Sequence, residues 1–194
     1  MWKFEPSDSA IIALEMFKSD GIKNILIPGF GYGRNARLFY DSGFKITGIE
    51  ISGSAIRLAG INGISCKIHH GSVTAMPFDK EQYGGIFCYA LLHLLNNKER
   101  MGFLQSCYNQ LKSGGLMIFT VVSKKSDMYG KGRHLSNDRF RMLNGLNVYF
   151  YDSDSVKNEF HDFGLLEFRE IDEPIKFMVG EKPLKCIMVI CKKR

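Results

Sequence analysis

The sequence has few of the features that mark secreted, disulfide-rich or membrane-spanning proteins. Its 5 cysteines are scattered over 194 residues and odd in number, so they favour reduced thiols over a disulfide framework. No uninterrupted run of about 18 apolar residues occurs, which argues against a membrane-spanning helix. Residues 1–8 lack the basic and apolar regions of a secretory signal. We therefore expect a cytoplasmic protein with no membrane partner.

Extended basic stripes and metal-ligand motifs are also absent. The net charge is +6, and part of the excess lies in the short segments Lys192–Arg194 and Lys124–Lys125. Because no basic stripe with interleaved aromatic residues occurs, we do not expect a nucleic-acid partner. Neither C-x-x-C nor H-E-x-x-H spacing is present, so we expect no metal site.

Apolar, β-rich segments alternate with segments of helical periodicity along the chain. This alternation predicts one α/β domain over residues 1–194, a doubly wound Rossmann-like sheet of about seven strands. The sheet is expected to be mostly parallel, with an antiparallel C-terminal strand at one edge, because the last two strands follow each other without a helix. The predicted strands are 24–28, 45–50, 66–69, 85–90, 116–122, 166–171 and 184–191, and the predicted helices are 7–19, 34–41, 54–59, 98–112 and 153–163.

The segment 123–152 fits neither periodicity and contains several glycines and aromatic residues. A connection of this length inside a compact domain is usually functional. It follows the end of a predicted strand, which is where doubly wound folds bind their ligands. We interpret residues 123–152 as a cap over the active site.

A glycine-rich turn, Pro28-Gly29-Phe30-Gly31-Tyr32-Gly33, joins the first strand to the next helix. Without Cβ atoms, such a turn lets an adenosine-containing ligand approach the main chain at a helix N-terminus, although the glycines alone also fit a tight turn with positive φ. Glu50 ends the second strand roughly 20 residues later, where a carboxylate accepts hydrogen bonds from both ribose hydroxyls. Together the two features predict a nucleotide-type cofactor.

Five landmarks in order resemble the class I S-adenosylmethionine-dependent methyltransferases. They are the glycine turn, Glu50, the stretch His70–Phe78, the segment Ala90–Leu95 and the sequence Leu111–Leu116 leading into the fifth strand. The proline before the first glycine is also similar to the thiopurine methyltransferase-like branch. The resemblance implies a methyltransferase with S-adenosylmethionine as cofactor, bound by Pro28, Gly29, Phe30, Gly31, Gly33, Glu50, Ile51, Ser72, Val73, Tyr89 and Ala90.

The resemblance also implies that residues 1–20, with Trp2 and Phe4, form an N-terminal cover over the cofactor. The motifs of methyltransferases that act on nucleic-acid amino groups, on cytosine and on arginine are absent, which leaves a small-molecule acceptor. His93 and Tyr129 are the candidates for polar groups that face this acceptor.

Three positions depart from the family pattern. Ile27 and Gly84 each stand where the family usually has an acid, and Ser72 stands where an acid often contacts the adenine amino group. Two alternatives therefore remain at this point. One is a protein that binds S-adenosylmethionine without catalysis. The other is a nicotinamide-dependent oxidoreductase, because Gly31–Ala36 also fits G-x-G-x-x-A.

Overall fold

The computed structural model describes residues 5–173 and 183–194, so Trp2 and Phe4 of the expected N-terminal cover lie outside the described residues. The strands are β1 (Asn24–Pro28), β2 (Lys45–Glu50), β3 (Lys67–His70), β4 (Tyr83–Tyr89), β5 (Leu111–Val122), β6 (Arg133–Ser136), β7 (Arg139–Arg141), β8 (Asn147–Tyr149), β9 (Leu165–Glu173) and β10 (Leu184–Lys192). The helices are α1 (Asp8–Ser19), α2 (Arg34–Asp41), α3 (Gly53–Ile61), α4 (Asn97–Gln110) and α5 (Ser153–Phe160), with 3-10 turns at Val73–Ala75, Leu92–Leu94 and His161–Phe163. None of the helices in the described ranges is long and apolar enough to cross a membrane.

Seven strands form the main sheet in the order β3-β2-β1-β4-β5-β10-β9. The first five are parallel, and β10 runs antiparallel to both β5 and β9. The predicted doubly wound α/β fold with a reversed C-terminal strand is therefore confirmed. The β9–β10 pair forms one edge region, in which β9 is outermost and β10 lies between β9 and β5. The strand order reverses between β1 and β4, which opens a crevice at their carboxyl ends.

Strands β4 and β5, near the centre of the sheet, are apolar on both faces because helices cover the sheet on both sides. In β4, Phe87 packs with α1 and α2 on one face, whereas Ile86 and Cys88 face the α4 and α5 side. Adjacent side chains of a strand point to opposite faces, so one continuous apolar run supplies both cores. This double burial fixes the position of the carboxyl ends of β4 and β5.

The segment 123–152 contains a second sheet, which the sequence analysis did not assign. Its three strands are antiparallel in the order β6-β7-β8. The strands are three or four residues long, which is too short for a clear period-2 pattern. We call this unit the cap sheet. A parallel bridge between Ser123 and Tyr151 closes the base of the segment against the end of β5.

Candidate functional site

The glycine turn between β1 and α2 adopts a conformation that favours glycine at three positions. Gly29, Gly31 and Gly33 have φ angles of +70°, +59° and +88°. A Cβ on Gly33 would clash with the Ile64 side chain, and one on Gly29 would lie 3.1 Å from Leu91 Cδ2. A Cβ on Gly31 would meet no atom within 4 Å. Gly31 is therefore the position where the main chain borders open space that a ligand can fill.

The Glu50 carboxylate holds this turn against the end of β2. Its Oε2 accepts a hydrogen bond from the Gly31 N–H at 2.7 Å, and its Oε1 accepts one from the Ser52 N–H at 2.8 Å. The N–H groups of Gly29 and Phe30 both donate to the Ile49 carbonyl at 2.9 and 3.0 Å. Each carboxylate oxygen has a further lone pair, so Glu50 retains the capacity to accept from ligand hydroxyls.

A cavity of about 230 Å³ opens where the strand order reverses, at the carboxyl ends of β1 and β4. Ala90, which follows β4, has a φ of +53° and donates its N–H to the Thr120 carbonyl at 3.0 Å. A non-glycine residue in this region of backbone space carries strain, which is found most often at functional sites. The lining residues are Ile27, Gly29, Phe30, Gly31, Tyr32, Arg34, Asn35, Phe87, Tyr89 and Ala90.

The structure brings some of the predicted cofactor residues together at this cavity and leaves others outside it. Gly29, Phe30, Gly31, Tyr89 and Ala90 belong to the lining, and Glu50 lies beside it through its bond to Gly31. Outside the lining, Pro28 is buried in β1, where it pairs with Ile49, and Gly33 precedes α2 as its N-cap.

The remaining predicted residues lie on the β2 and β3 side of the turn. Ile51 follows β2 and is 68% exposed, so it presents apolar surface next to Glu50. Ser72 caps the 3-10 turn after β3, where its Oγ accepts from the Thr74 N–H at 3.3 Å. Val73 is buried beside it. These three residues do not line the cavity, and they extend the candidate site along the sheet edge.

Comparisons with known proteins identify the fold that carries this cavity. Residues 26–119 match the family model described as a methyltransferase domain. The chain has a methyltransferase fold. A protein of Geobacillus sp. (strain WCH70) whose name places it among the methyltransferases is 27% identical over 132 residues, which are 64% of this chain and 53% of that protein. The chain thus spans about half the length of this curated relative.

Two solved structures share the methyltransferase fold over almost the whole chain. An S-adenosylmethionine-dependent methyltransferase from Clostridium acetobutylicum ATCC 824 has a TM-score of 0.74 at 12% identity, covering 95% of this chain and 90% of that chain. The 1,6-didemethyltoxoflavin-N1-methyltransferase of Burkholderia thailandensis was solved with 1,6-didemethyltoxoflavin and S-adenosylhomocysteine. It has a TM-score of 0.72 at 15% identity, covering 95% of this chain and 76% of that chain. The shared architecture is the methyltransferase sheet with its helical layers.

Arg34 is a candidate site residue that the sequence analysis missed. Of the described residues that line the cavity, it alone carries a charge. Its guanidinium carbon lies 5.1 Å from the centroid of the Tyr89 ring. Arg34 is the first residue of α2, where a positive charge interacts unfavourably with the helix dipole. A cation at a helix N-terminus, directly after the glycine turn, is the feature of the sequence that points to Arg34 as a candidate site residue.

The start of α1 is anchored beside the cavity by buried polar contacts. The Ser7 N–H donates to Asn35 Oδ1 at 2.9 Å, and Asn35 lines the cavity. The Glu173 carboxylate, which is fully buried at the end of β9, accepts from the Ser9 N–H at 2.8 Å and the Asp8 N–H at 3.2 Å. These bonds satisfy N–H groups that a helix start leaves unpaired. They also place the start of α1 beside the cavity.

Two of the departures from the family pattern have clear structural consequences. Ile27 forms an apolar part of the cavity wall, so the lining has no acidic group at that position. At the start of β4, the Gly84 N–H donates to Asn24 Oδ1 at 3.0 Å. Asn24 thus provides a polar contact at this strand start, although the acid common in the family is replaced by glycine.

The structure gives His93 and Tyr129, our candidates for acceptor-facing groups, internal partners instead. Neither belongs to the cavity lining. His93 is only 7% exposed, and its Nδ1 accepts from the Val122 N–H at 3.4 Å. The Tyr129 hydroxyl donates to Asp138 at 2.7 Å, and its ring packs edge-on against Phe150. His93 thus bonds to β5, and Tyr129 bonds within residues 123–152, so the structure places neither side chain in the cavity lining.

The buried His93 predicts a pH dependence of stability. Burial lowers the pKa of His93 to about 4, from 6.5. Between pH 4 and 6.5, the unfolded chain therefore binds a proton that the folded chain does not. The stabilising contribution of the neutral, buried His93 is fully present above pH 6.5 and is lost as the pH falls towards 4. In the variant His93→Leu, we expect the free energy of unfolding at pH 7.5 to drop by about 1–3 kcal/mol, because the Val122 N–H is left without an acceptor. We also expect the free energy of unfolding of this variant to depend less steeply on pH than that of the wild type.

Urea unfolding of both proteins at several pH values between 4.5 and 7.5 measures this difference. His161, whose side chain is 83% exposed, provides the matched control His161→Leu. Equal pH slopes for wild type and His93→Leu would contradict a buried, neutral imidazole.

Proposed function

We propose that the protein transfers a methyl group from S-adenosylmethionine to a small-molecule acceptor. The observation that carries this proposal is the cavity at the strand reversal, which borders the open main chain at Gly31 and lies next to the Glu50 carboxylate. The match of residues 26–119 to the methyltransferase domain supports the same activity. The glycine turn with its leading Pro28 further suggests the thiopurine methyltransferase-like branch.

The residues around the turn fit the adenosine part of this cofactor. Glu50 would accept hydrogen bonds from the two ribose hydroxyls, because its oxygens retain lone pairs beside those used by Gly31 and Ser52. Exposed Ile51 would pack against the adenine, and the Ser72–Val73 pair would contact its polar edge. The apolar and polar surfaces needed for a nucleoside thus lie along one edge of the sheet.

The cavity itself fits the amino-acid part of the cofactor. Arg34 would pair with the carboxylate, since a guanidinium binds carboxylates through two parallel N–H bonds. The Tyr89 hydroxyl is buried at the same cavity, and the Arg34 guanidinium lies beside the Tyr89 ring. Burial, reinforced by the charge of Glu173, raises the pKa of Tyr89, so the hydroxyl stays protonated and able to donate.

The bound cofactor supplies an activated methyl sulfonium, so the chain has to bind, orient and exclude water. We propose that the cap formed by residues 123–152 and the cover provided by α1 enclose the acceptor, because both lead to the carboxyl edge of the sheet. The Burkholderia neighbour, which holds a small heterocycle and S-adenosylhomocysteine, supports a small acceptor. A cytoplasmic location is supported by the five cysteines, all of which are free thiols.

The first test is a comparison of ligands by isothermal titration calorimetry. We expect S-adenosylmethionine and S-adenosylhomocysteine to bind with dissociation constants in the micromolar range, which corresponds to a binding free energy of roughly −8 kcal/mol. NADH is the comparison ligand for an oxidoreductase. Binding of NADH without a response to either sulfur nucleoside would sink the proposal. Binding of S-adenosylmethionine with no turnover of any acceptor would favour a non-catalytic binding protein.

The variant Glu50→Ala tests the ribose contact. We expect S-adenosylhomocysteine affinity to fall by about 1–3 kcal/mol, or roughly 5- to 150-fold, because bonds to a charged acceptor are lost and the glycine turn loses its anchor. Glu15→Ala is the matched control, since the Glu15 side chain is 68% exposed on α1. Unchanged affinity in a folded Glu50→Ala protein would show that the ribose binds elsewhere.

The variant Arg34→Ala tests recognition of the amino-acid part. We expect S-adenosylhomocysteine to bind about 10- to 100-fold more weakly, because a charge-assisted pair is lost. Methylthioadenosine has no carboxylate, so its affinity should stay within about twofold of wild type. Arg34→Lys keeps the charge but loses the paired N–H geometry, and should give an intermediate value. Equal losses of affinity for both ligands would mean that Arg34 stabilises the fold of the turn and does not bind the ligand carboxylate.

A further inference from the structure

The cap sheet presents two chemically different faces. Its register pairs Arg133 with Arg141 on neighbouring strands, and His134 with Phe140. Paired residues project to the same face of a sheet, and successive residues of a strand alternate between its two faces. The two arginines therefore lie on one face of the cap sheet, and His134 and Phe140 lie on the other face. Phe140 is buried in a cluster with Val148 and other apolar residues, so this face packs inward. We call Arg133, Arg139 and Arg141 on the other side the arginine face.

The arginine face carries positive charge that no ion pair among the described residues neutralises. Arg133 and Arg141 are exposed and stand directly opposite each other, an arrangement that is destabilising for like charges. None of the three arginines forms an ion pair with a residue in the described part of the chain. The nearby Asp138 and Asp152 are both bound to Lys124, at 2.7 and 2.6 Å.

Unsatisfied polar atoms lie on the same face. The Nε of Arg139 and the Oδ1 of Asn147 are buried, and neither has a hydrogen-bond partner among the described residues. Asn147 pairs with Arg141 across the sheet, so the two atoms belong to adjacent strands of one surface. Burial, together with the charge of Arg100, lowers the pKa of Arg139, and the Glu99 carboxylate opposes this only in part. A buried donor or acceptor without a partner lowers the stability of the folded protein, and a ligand that bonded to it would restore that stability.

We propose that the arginine face binds the phosphate group of a small phosphorylated ligand. Arginine presents N–H donors in a planar fork that matches phosphate oxygens, and two opposed arginines provide two such forks. The unpartnered Asn147 oxygen would accept from a hydroxyl of the same ligand. The arrangement is independent of the cofactor cavity, whose lining contains none of these residues.

The surroundings favour a small ligand over a nucleic acid. The face is confined to strands of three or four residues, whereas a nucleic-acid surface follows the backbone with aromatic stacking platforms. Tyr149 is the aromatic residue on this face, and the Arg100 guanidinium covers its ring at 4.1 Å from the centroid. A neighbouring cavity is lined by Asp152, Asp154 and Glu159 together with Arg100 and Lys124, so the surface beside the arginine face is of mixed charge and does not continue it as a basic track.

Calorimetry with inorganic pyrophosphate in low-salt buffer tests the proposal. We expect the wild type to bind pyrophosphate and the double variant Arg133→Ala/Arg141→Ala to bind it at least about tenfold more weakly. Arg57→Ala/Lys98→Ala is the control, because it removes the same charge from exposed positions on α3 and α4 and should leave pyrophosphate affinity unchanged. Arg139→Lys should also weaken binding, because it keeps the charge but loses the fork. S-adenosylhomocysteine affinity should be unchanged in all these variants, so failure here is separable from failure of the proposed methyl transfer.

Three results would overturn this inference. The first is no pyrophosphate binding by the wild type at millimolar concentration. The second is an equal loss of affinity in the control double variant, which would indicate a general charge effect. The third is tight binding of a single-stranded RNA oligonucleotide that the arginine variants abolish while pyrophosphate binds weakly. That outcome would assign the face to a nucleic acid.

Discussion

The Glu50 carboxylate, which bonds the end of β2 to the glycine turn, is the contact on which the candidate site depends. Its bond to the Gly31 N–H, with the Ile49 carbonyl accepting from the first two residues of the turn, holds a backbone conformation that only glycine adopts without strain. That conformation leaves open space at Gly31 and starts α2 so that Arg34 reaches the cavity. A charged group therefore has a structural role here, and in our proposal the same oxygens also bind the ribose.

The cavity wall is positioned by burial on both faces of the central strands. Because β4 and β5 are packed between two helical layers, their carboxyl ends have little freedom, and Tyr89 and Ala90 are presented at fixed positions. Ala90 has a positive φ, and its N–H is bound to the Thr120 carbonyl at the end of β5. Buried Glu173 and Asn35 then bring the start of α1 to the same edge.

The two faces of the cap sheet differ: one packs against apolar residues and the other carries the arginines. Its inner face joins the apolar cluster that includes Val122 and Phe150, which attaches the cap sheet to the end of β5. Lys124 binds both Asp138 and Asp152, and these pairs fix the base of the cap. The arginine face forms no ion pair with the described residues, which is why we propose that it binds a ligand of its own.

The sequence by itself determined β1, α2 and β2 to the residue, because Gly29, Gly33 and Gly43 are local signals that mark where these elements begin or end. It also determined the fold class, through the alternation of strands and helices. Only the tertiary structure decided which polar groups are available for chemistry. His93 is taken by the Val122 N–H and Tyr129 by Asp138, whereas Arg34 reaches the cavity. His93 and Val122 are 29 residues apart, and which groups a polar side chain meets depends on what folding packs beside it, which local periodicity does not encode.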